Sequence, residues 1–140
     1  MLKGIDPLLT PDLLRLLAQA GHGDVIGVVD RNFPAHAQGA PVVDLPGADV
    51  TSALRAICGL LPIDVQFQDA PVAHMLAADG TLGPAVADVR GVLVAAQGCP
   101  VGMAGLAQSD FYDAAARAFA IVRTSDDRPD ACFLVVKGVV

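Results

Sequence analysis

The run Val25-Ile26-Gly27-Val28-Val29-Asp30 decides the fold. Its first five residues are apolar or glycine with no polar residue between them, so neither face is set aside for water. Such a run reads as a short strand buried in a parallel or mixed sheet. Asp30 then stands at the carboxyl end of that strand, where open α/β sheets bind their ligands. Immediately upstream lies Ala20-Gly21-His22-Gly23-Asp24, and downstream Arg31-Asn32-Phe33-Pro34-Ala35-His36. Histidine is the side chain whose unperturbed pKa lies nearest neutrality, which makes it the natural mover of protons. The glycines on either side of His22 let the backbone turn sharply and leave the imidazole unshielded. Chemistry in this chain is expected here.

Working outward, Thr10-Pro11-Asp12 opens a first helix. Thr10 can cap it, Pro11 suits the first helical position and Asp12 favours the positive end of the helix dipole. Leu13, Leu14, Leu16 and Leu17 recur at helical spacing, and Gly21 is expected to stop the helix. Pro41 to Leu45 reads as a second strand, and Asp49 to Leu61 as a helix with Leu54, Ile57 and Leu61 on one face. Ile63 to Phe67 and Val72 to Ala77 read as short extended pieces. Leu82 to Gln97, entered at Pro84, reads as a helix, Val101 to Leu106 as a strand, and Asp110 to Ala120 as a helix. Ile121 to Thr124 and Phe133 to Val136 are the last strands, with a polar turn from Asp126 to Asp130 between them. Helices and strands alternate, which points to an α/β class with one domain over residues 1–140.

The 140 residues are 54% hydrophobic and only 17% charged, which excludes a disordered or polyanion-coating chain. The net charge of −6 includes no basic stripe, so nucleic acid is not an expected partner. No apolar run reaches the ~18 residues of a membrane span. No secretory leader pattern opens the chain, and the cytoplasm is the expected location. Small soluble monomers rarely expose large apolar patches, so part of the apolar surplus is expected to be buried between subunits. Cys58, Cys99 and Cys132 form no CxxC pair and no zinc spacing, and are expected to be reduced thiols.

Each chemical candidate has a structural reading beside the functional one. His22 could simply interact with a helix end; Asp24 and Asp30 nearby favour function, because a carboxylate at hydrogen-bond distance fixes the tautomer and raises the basicity of an imidazole. Asp30 could equally satisfy backbone N–H groups in the turn after its strand. His36 reads as a surface residue and His74 as a satisfied core or interface histidine. A metal site built from His22, Asp24, Asp30 and His36 lacks any diagnostic spacing, and none is expected. No GxSxG elbow, P-loop or dinucleotide fingerprint is present, so no cofactor is implied. Phe111, Tyr112 and Phe119 recur at helical spacing and read as core, with the Tyr112 hydroxyl able to reach a site. The segment Ser125 to Cys132 carries polar groups between two strands, as site-forming loops do.

Several segments together resemble the L-fucose mutarotase / D-ribose pyranase family, most closely its fucose mutarotase branch. They are Met1-Leu2-Lys3-Gly4, the helix from Thr10 to Ala20, Gly21-His22-Gly23-Asp24, Asp30 with Asn32-Phe33-Pro34-Ala35-His36, Leu60-Leu61-Pro62-Ile63-Asp64, Phe111-Tyr112, Ala118 to Val122 and Lys137-Gly138-Val139. The resemblance is collinear along the whole chain. It implies a Rossmann-like three-layer fold with a mostly parallel central sheet. It also implies a ring-shaped homo-oligomer, typically a decamer with sites at subunit interfaces, and cofactor-free interconversion of α and β sugar anomers. It places His22 at the family's catalytic histidine and Asp30 at its sugar-binding aspartate.

The resemblance also has departures. Where the family carries a Tyr-Gly-Asn or Tyr-Ala-Asn element framing the sugar, this chain has Asp130, Ala131 and Cys132. Gln108 stands near the position of a sugar-binding arginine, and the family's Thr-Gly-Glu becomes Thr124-Ser125-Asp126. The proton-moving half of the implied site is intact and the sugar-gripping half is rebuilt, which should alter specificity. The expected activity is therefore a monosaccharide mutarotase with His22 as acid/base, Asp30, Gln108, Asp130, Ala131 and Cys132 around the sugar, and Asp24, His36 and Tyr112 as auxiliaries. The competing expectations are a sugar-binding or accessory protein without turnover, and a related isomerase or lyase using the same histidine.

Overall fold

The computed structural model describes residues 1–140. Six strands, β1 (Val25–Val29), β2 (Val42–Leu45), β3 (Val72–Met75), β4 (Met103–Leu106), β5 (Ala120–Thr124) and β6 (Phe133–Val136), form one sheet in the order β2-β5-β1-β6-β3-β4. Neighbours are parallel at β2/β5, β5/β1 and β3/β4. β6 runs antiparallel to both β1 and β3, so the sheet is mostly parallel with one reversed strand at its centre.

Helices α1 (Pro11–Gln19), α2 (Val50–Cys58) and α3 (Val86–Gln97) share one large apolar cluster with Ile26, Val28, Val122, Phe133 and Val135 of the sheet. α4 (Gln108–Ala115) and a short 3-10 turn at Ala35–Ala37 share a second cluster with Val29, Met75, Ile121 and Leu134. The alternation of these strand residues between the two clusters is the period-two signature of a sheet covered on both faces. Three layers result, as expected. No helix is long and apolar enough to cross a membrane.

The Thr10 hydroxyl caps α1 by accepting from the Leu13 N–H at 3.3 Å, a contact of about 1 kcal/mol in typical helices. Gly21 does not stop α1. Ala20 leaves the helix in an extended conformation, its carbonyl accepts from Lys137 Nζ at 2.6 Å, and the left-handed residue is Gly23. α4 is shorter at its carboxyl end than the expected Asp110–Ala120 helix. The Phe119 N–H donates to the Val25 carbonyl at 2.8 Å and Ala120 already pairs with Ile26, so strand pairing overrides the helix preference of an alanine-rich segment. Ile63 to Phe67 is not a strand. Ile63 makes one bridge to Lys137, and the chain then turns.

Candidate functional site

Two polar clusters flank β1, one at each end. At the carboxyl end, Asp30 follows Val29 directly and is buried. Its Oδ1 accepts from the backbone N–H groups of Asn32 (2.9 Å) and Phe33 (3.0 Å), closing the turn after the strand. Its Oδ2 accepts from the Cys132 thiol at 3.5 Å. The turn therefore occupies one oxygen of the carboxylate and leaves the other to the thiol. Burial, followed by the neighbouring Asp30 charge, pushes the Cys132 thiol well above its ordinary range and keeps it a neutral donor.

A cavity of about 240 Å³ opens beside this carboxylate, lined by Asp30, Asn32, Phe33, Met75, Gln108, Tyr112, Pro129, Asp130 and Cys132. It sits at the carboxyl ends of β1, β3 and β4, where the parallel strands release their chain. Phe33 packs on Tyr112 with ring centroids 4.9 Å apart and edge-on against Phe111 at 5.8 Å, which gives the cavity a firm aromatic wall. Asp130 is the one non-glycine residue with positive φ (57°), and its carbonyl accepts from the Cys132 N–H at 2.8 Å. That tight turn presents Asp130 at the cavity rim.

The loop carrying Asp130 is tied down by Asp126 and Arg128. The buried Asp126 carboxylate accepts from Arg128 Nη2 at 2.7 Å, from Arg128 Nε at 3.1 Å and from the Val50 N–H at the start of α2 at 3.0 Å. Arg128 also donates to Thr51 and Asp88. Burial works to raise the Asp126 carboxyl, but the Arg128 and Val50 hydrogen bonds outweigh it and hold the group below the usual carboxylate range. The Asp126–Asp130 loop is thus a fixed wall.

At the amino end of β1, His22 is 44% exposed. Its Nε2 lies 3.2 Å from Oδ2 of Asp64, and Phe67 packs against the ring with centroids 5.1 Å apart. Neither expected carboxylate serves this histidine. Asp24 Oδ2 accepts instead from the Gly21 N–H at 2.7 Å, and Asp30 lies beyond the far end of the strand. The five residues of β1 alone separate the two clusters by roughly 16 Å. Within one chain, His22 and Asp30 do not share a site.

Of the remaining sequence candidates, Gln108, Asp130, Cys132 and Tyr112 line the Asp30 cavity. Ala131 is fully buried in the large apolar cluster and does not face it. His36 is exposed and pairs with Asp44 at 3.1 Å, and the four residues considered for a metal are not brought together. His74 is buried as expected, its Nδ1 has no hydrogen-bond partner within the chain, and burial pushes the ring below its ordinary pKa. A larger groove of about 590 Å³ between α2 and α3 holds none of the candidates, and its Asp88 is committed to Arg128. Sequence reasoning missed Asn32, Phe33 and Met75 as cavity residues and Asp64 as the partner of His22, whereas Pro129 lies within the Ser125–Cys132 segment expected to form a site. The carboxylate of Asp64 within the apolar stretch Leu60 to Val65 was the available signal.

Residues 3–140 match the model of the RbsD / FucU transport protein family. Among solved structures, Atu2016, described as a candidate sugar-binding protein, superposes with a TM-score of 0.94 at 33% identity, covering 100% of this chain and 97% of that one. The fucose mutarotase of Streptococcus pneumoniae, solved with L-fucose, gives 0.90 at 29% identity over 99% of both chains. FucU of Bifidobacterium longum gives 0.91 at 29% identity, again over 99% of both.

Proposed function

The chain belongs to the RbsD / FucU family, and from that footing we propose that it is a mutarotase interconverting the α and β anomers of a fucose-like or ribose-like monosaccharide. The observation that carries this reading is the cavity at the carboxyl end of β1. It is smaller than the pockets that hold drug-sized ligands, and it sets carboxylates and an amide against an aromatic wall. Asp30 Oδ2 and Asp130 accept from sugar hydroxyls, Gln108 supplies an amide, and the Phe33–Tyr112 wall takes the apolar face of the ring. A fucose mutarotase of similar fold at 29% identity, solved with L-fucose, supports a monosaccharide as the class of ligand.

Anomer exchange needs one proton removed and one delivered. A base takes the proton of the anomeric hydroxyl as the bond from the anomeric carbon to the ring oxygen breaks. The electrons of that bond go to the ring oxygen, which takes a proton from an acid. The open aldehyde turns and recloses by the reverse steps on its other face. An imidazole working with water can fill either role, and positioned proton transfer contributes about 10²–10⁴-fold. In our reading His22 is that group. Since His22 and Asp30 flank β1 on opposite ends, it reaches the sugar of a neighbouring copy, in a ring-shaped homo-oligomer with sites at subunit interfaces.

Saturation-transfer NMR over a panel of aldoses that includes L-fucose and D-ribose tests the proposal. Faster exchange between anomers than in buffer is expected for at least one sugar. A sugar that raises the thermal midpoint while no sugar exchanges faster would overturn turnover in favour of binding alone. The similarity to a candidate sugar-binding protein and the rebuilt Asp126–Cys132 loop favour that second reading.

A further inference from the structure

The cavity at the carboxyl end of β1 is lined by two carboxylates, Asp30 and Asp130, and by no lysine, arginine or histidine. Asp30 is only 6% exposed. Its Oδ1 is spent on the turn after β1, while Oδ2 meets only the neutral Cys132 thiol at 3.5 Å, a weak donor. No cation of the chain pairs with Asp30 or Asp130, because the ion pairs are centred on Asp44, Asp64, Asp88 and Asp126. Arg128, two residues before Asp130, is already held by Asp126 and Asp88. A buried carboxylate is costly unless it is paired, and its complement is a positive charge.

Both negative charges act on the same space. Burial pushes the Cys132 thiol up, the Asp30 charge adds to it, and the Asp130 charge adds less, so one cavity group feels both carboxylates. The fold sets the position of Asp130. Its φ of 57° is a left-handed conformation that aspartate tolerates better than most side chains. Gly83 packs on this turn, where an added Cβ would stand 3.4 Å from the Pro129 and Asp130 carbonyl oxygens. No three His, Cys, Asp or Glu side chains converge as metal ligands, so the donor set suits an organic cation better than a metal ion. The amides of Asn32 and Gln108 and the Phe33–Tyr112 wall are partners for a hydroxylated ring.

We propose that this cavity selects a monosaccharide carrying an ammonium group, an amino sugar, held between Asp30 Oδ2 and Asp130. The inference rests on the sugar-cavity reading above and narrows it to a charged substrate class. The ammonium donates to both carboxylates, and such charge-assisted hydrogen bonds are roughly twice as strong as neutral ones. A neutral sugar offers the same two oxygens only hydroxyl donors and leaves their charge uncompensated.

Calorimetry at about pH 6, where an amine of ordinary pKa (about 7.7–8.0) is cationic, tests the proposal. The probes are L-fucose, D-ribose and derivatives of each in which one non-anomeric ring hydroxyl is replaced by an amine. At least one amino sugar should bind about 10-fold more tightly than its parent, the gain of a charge-assisted over a neutral hydrogen bond. Its N-acetylated form, which keeps the nitrogen and loses the charge, should lose that gain. Asp130→Asn should erase most of the preference, and asparagine accepts the left-handed turn, so the loop should survive. Parents that bind as tightly as every amino derivative, an N-acetylated form that keeps the gain, or a preference undiminished in Asp130→Asn would each overturn the proposal. Anomer exchange, followed by NMR on the same samples, separates it from the reading on which it rests. Amino sugars that bind more tightly without faster exchange would refute turnover and keep the charge selection. Neutral sugars that exchange faster while no amino sugar binds more tightly would do the reverse, and absence of binding by every probe would overturn both.

Discussion

The two ends of β1 are built on opposite plans. At the carboxyl end the polar groups are gathered by tertiary structure into a walled cavity: Asp30, Gln108, Asp130 and Cys132 come from segments scattered over the chain. At the amino end a single exposed imidazole is braced from behind by a buried carboxylate, and His22 lines none of the larger cavities. The first end is shaped to hold a ligand and has no group suited to shuttling protons near neutrality. The second presents an exposed imidazole. Each lacks what the other supplies and one strand keeps them apart, so under the proposed function they are two halves of a site that meet between copies.

The sharpest way to break this comparison is to remove the proton-moving half. His22→Ala should leave the circular dichroism spectrum and thermal midpoint close to wild type, since the ring is 44% exposed and packs mainly on Phe67. Anomer exchange should fall by about 10²–10⁴-fold while sugar binding at the Asp30 cavity persists. Exchange at the wild-type rate would remove His22 from the reaction.

The holding half is expected to fail differently, through stability. Arg128→Ala leaves the Asp126 carboxylate buried against the start of α2 without its cation, which typically costs about 3–5 kcal/mol. The acid response carries the sign. The folded-state pKa of Asp126 is depressed, so its contribution is present above the unfolded value and lost as pH falls through the folded one, below about pH 4. Urea midpoints should therefore fall on acidification in the wild type and fall less in Arg128→Ala. Equal acid slopes would show that Asp126 gains nothing from this pair.

How far these halves were legible in the sequence follows the same division. Asp30 was readable because it directly follows an unbroken apolar run, and a strand's end can be read locally. The helix boundaries around Ala20 and Ala120 were less readable: there, pairing with Lys137 or Val25 from distant parts of the chain outweighs local preference. Asp64 escaped for a stronger version of that reason. Its partner lies 42 residues upstream, while Asp24 stood only two residues from His22. Proximity in sequence pointed to Asp24, but the backbone turn gave Asp24 to the Gly21 N–H. The apolar wall of the cavity was also hidden, because Phe33 and Met75 look like any other core residues until the strands align their ends.

Whether the halves truly meet between copies can be tested by mixing. His22→Ala and Asp30→Asn subunits should each be inactive as pure assemblies. If a site takes its histidine from one copy and its aspartate from the next, random mixing after dissociation should restore about a quarter of the sites. Subunit exchange without recovery would mean that both residues act from one chain, against the separation imposed by β1.

The smallest effect expected is also the most informative about specificity. Cys132 places its thiol on the one oxygen of Asp30 that the turn leaves free. Cys132→Ala removes a weak donor from a buried position, and stability should fall by only about 1 kcal/mol. Asp30 Oδ2 would then be open to a sugar hydroxyl that no longer competes with the thiol. Sugar affinity, read by calorimetry, should rise a few-fold for sugars able to donate there and stay flat for deoxy analogues lacking that hydroxyl. An equal change for both would mean that the thiol acts by filling space. A selective change would identify Cys132 as the residue through which the rebuilt loop sets which sugar is held.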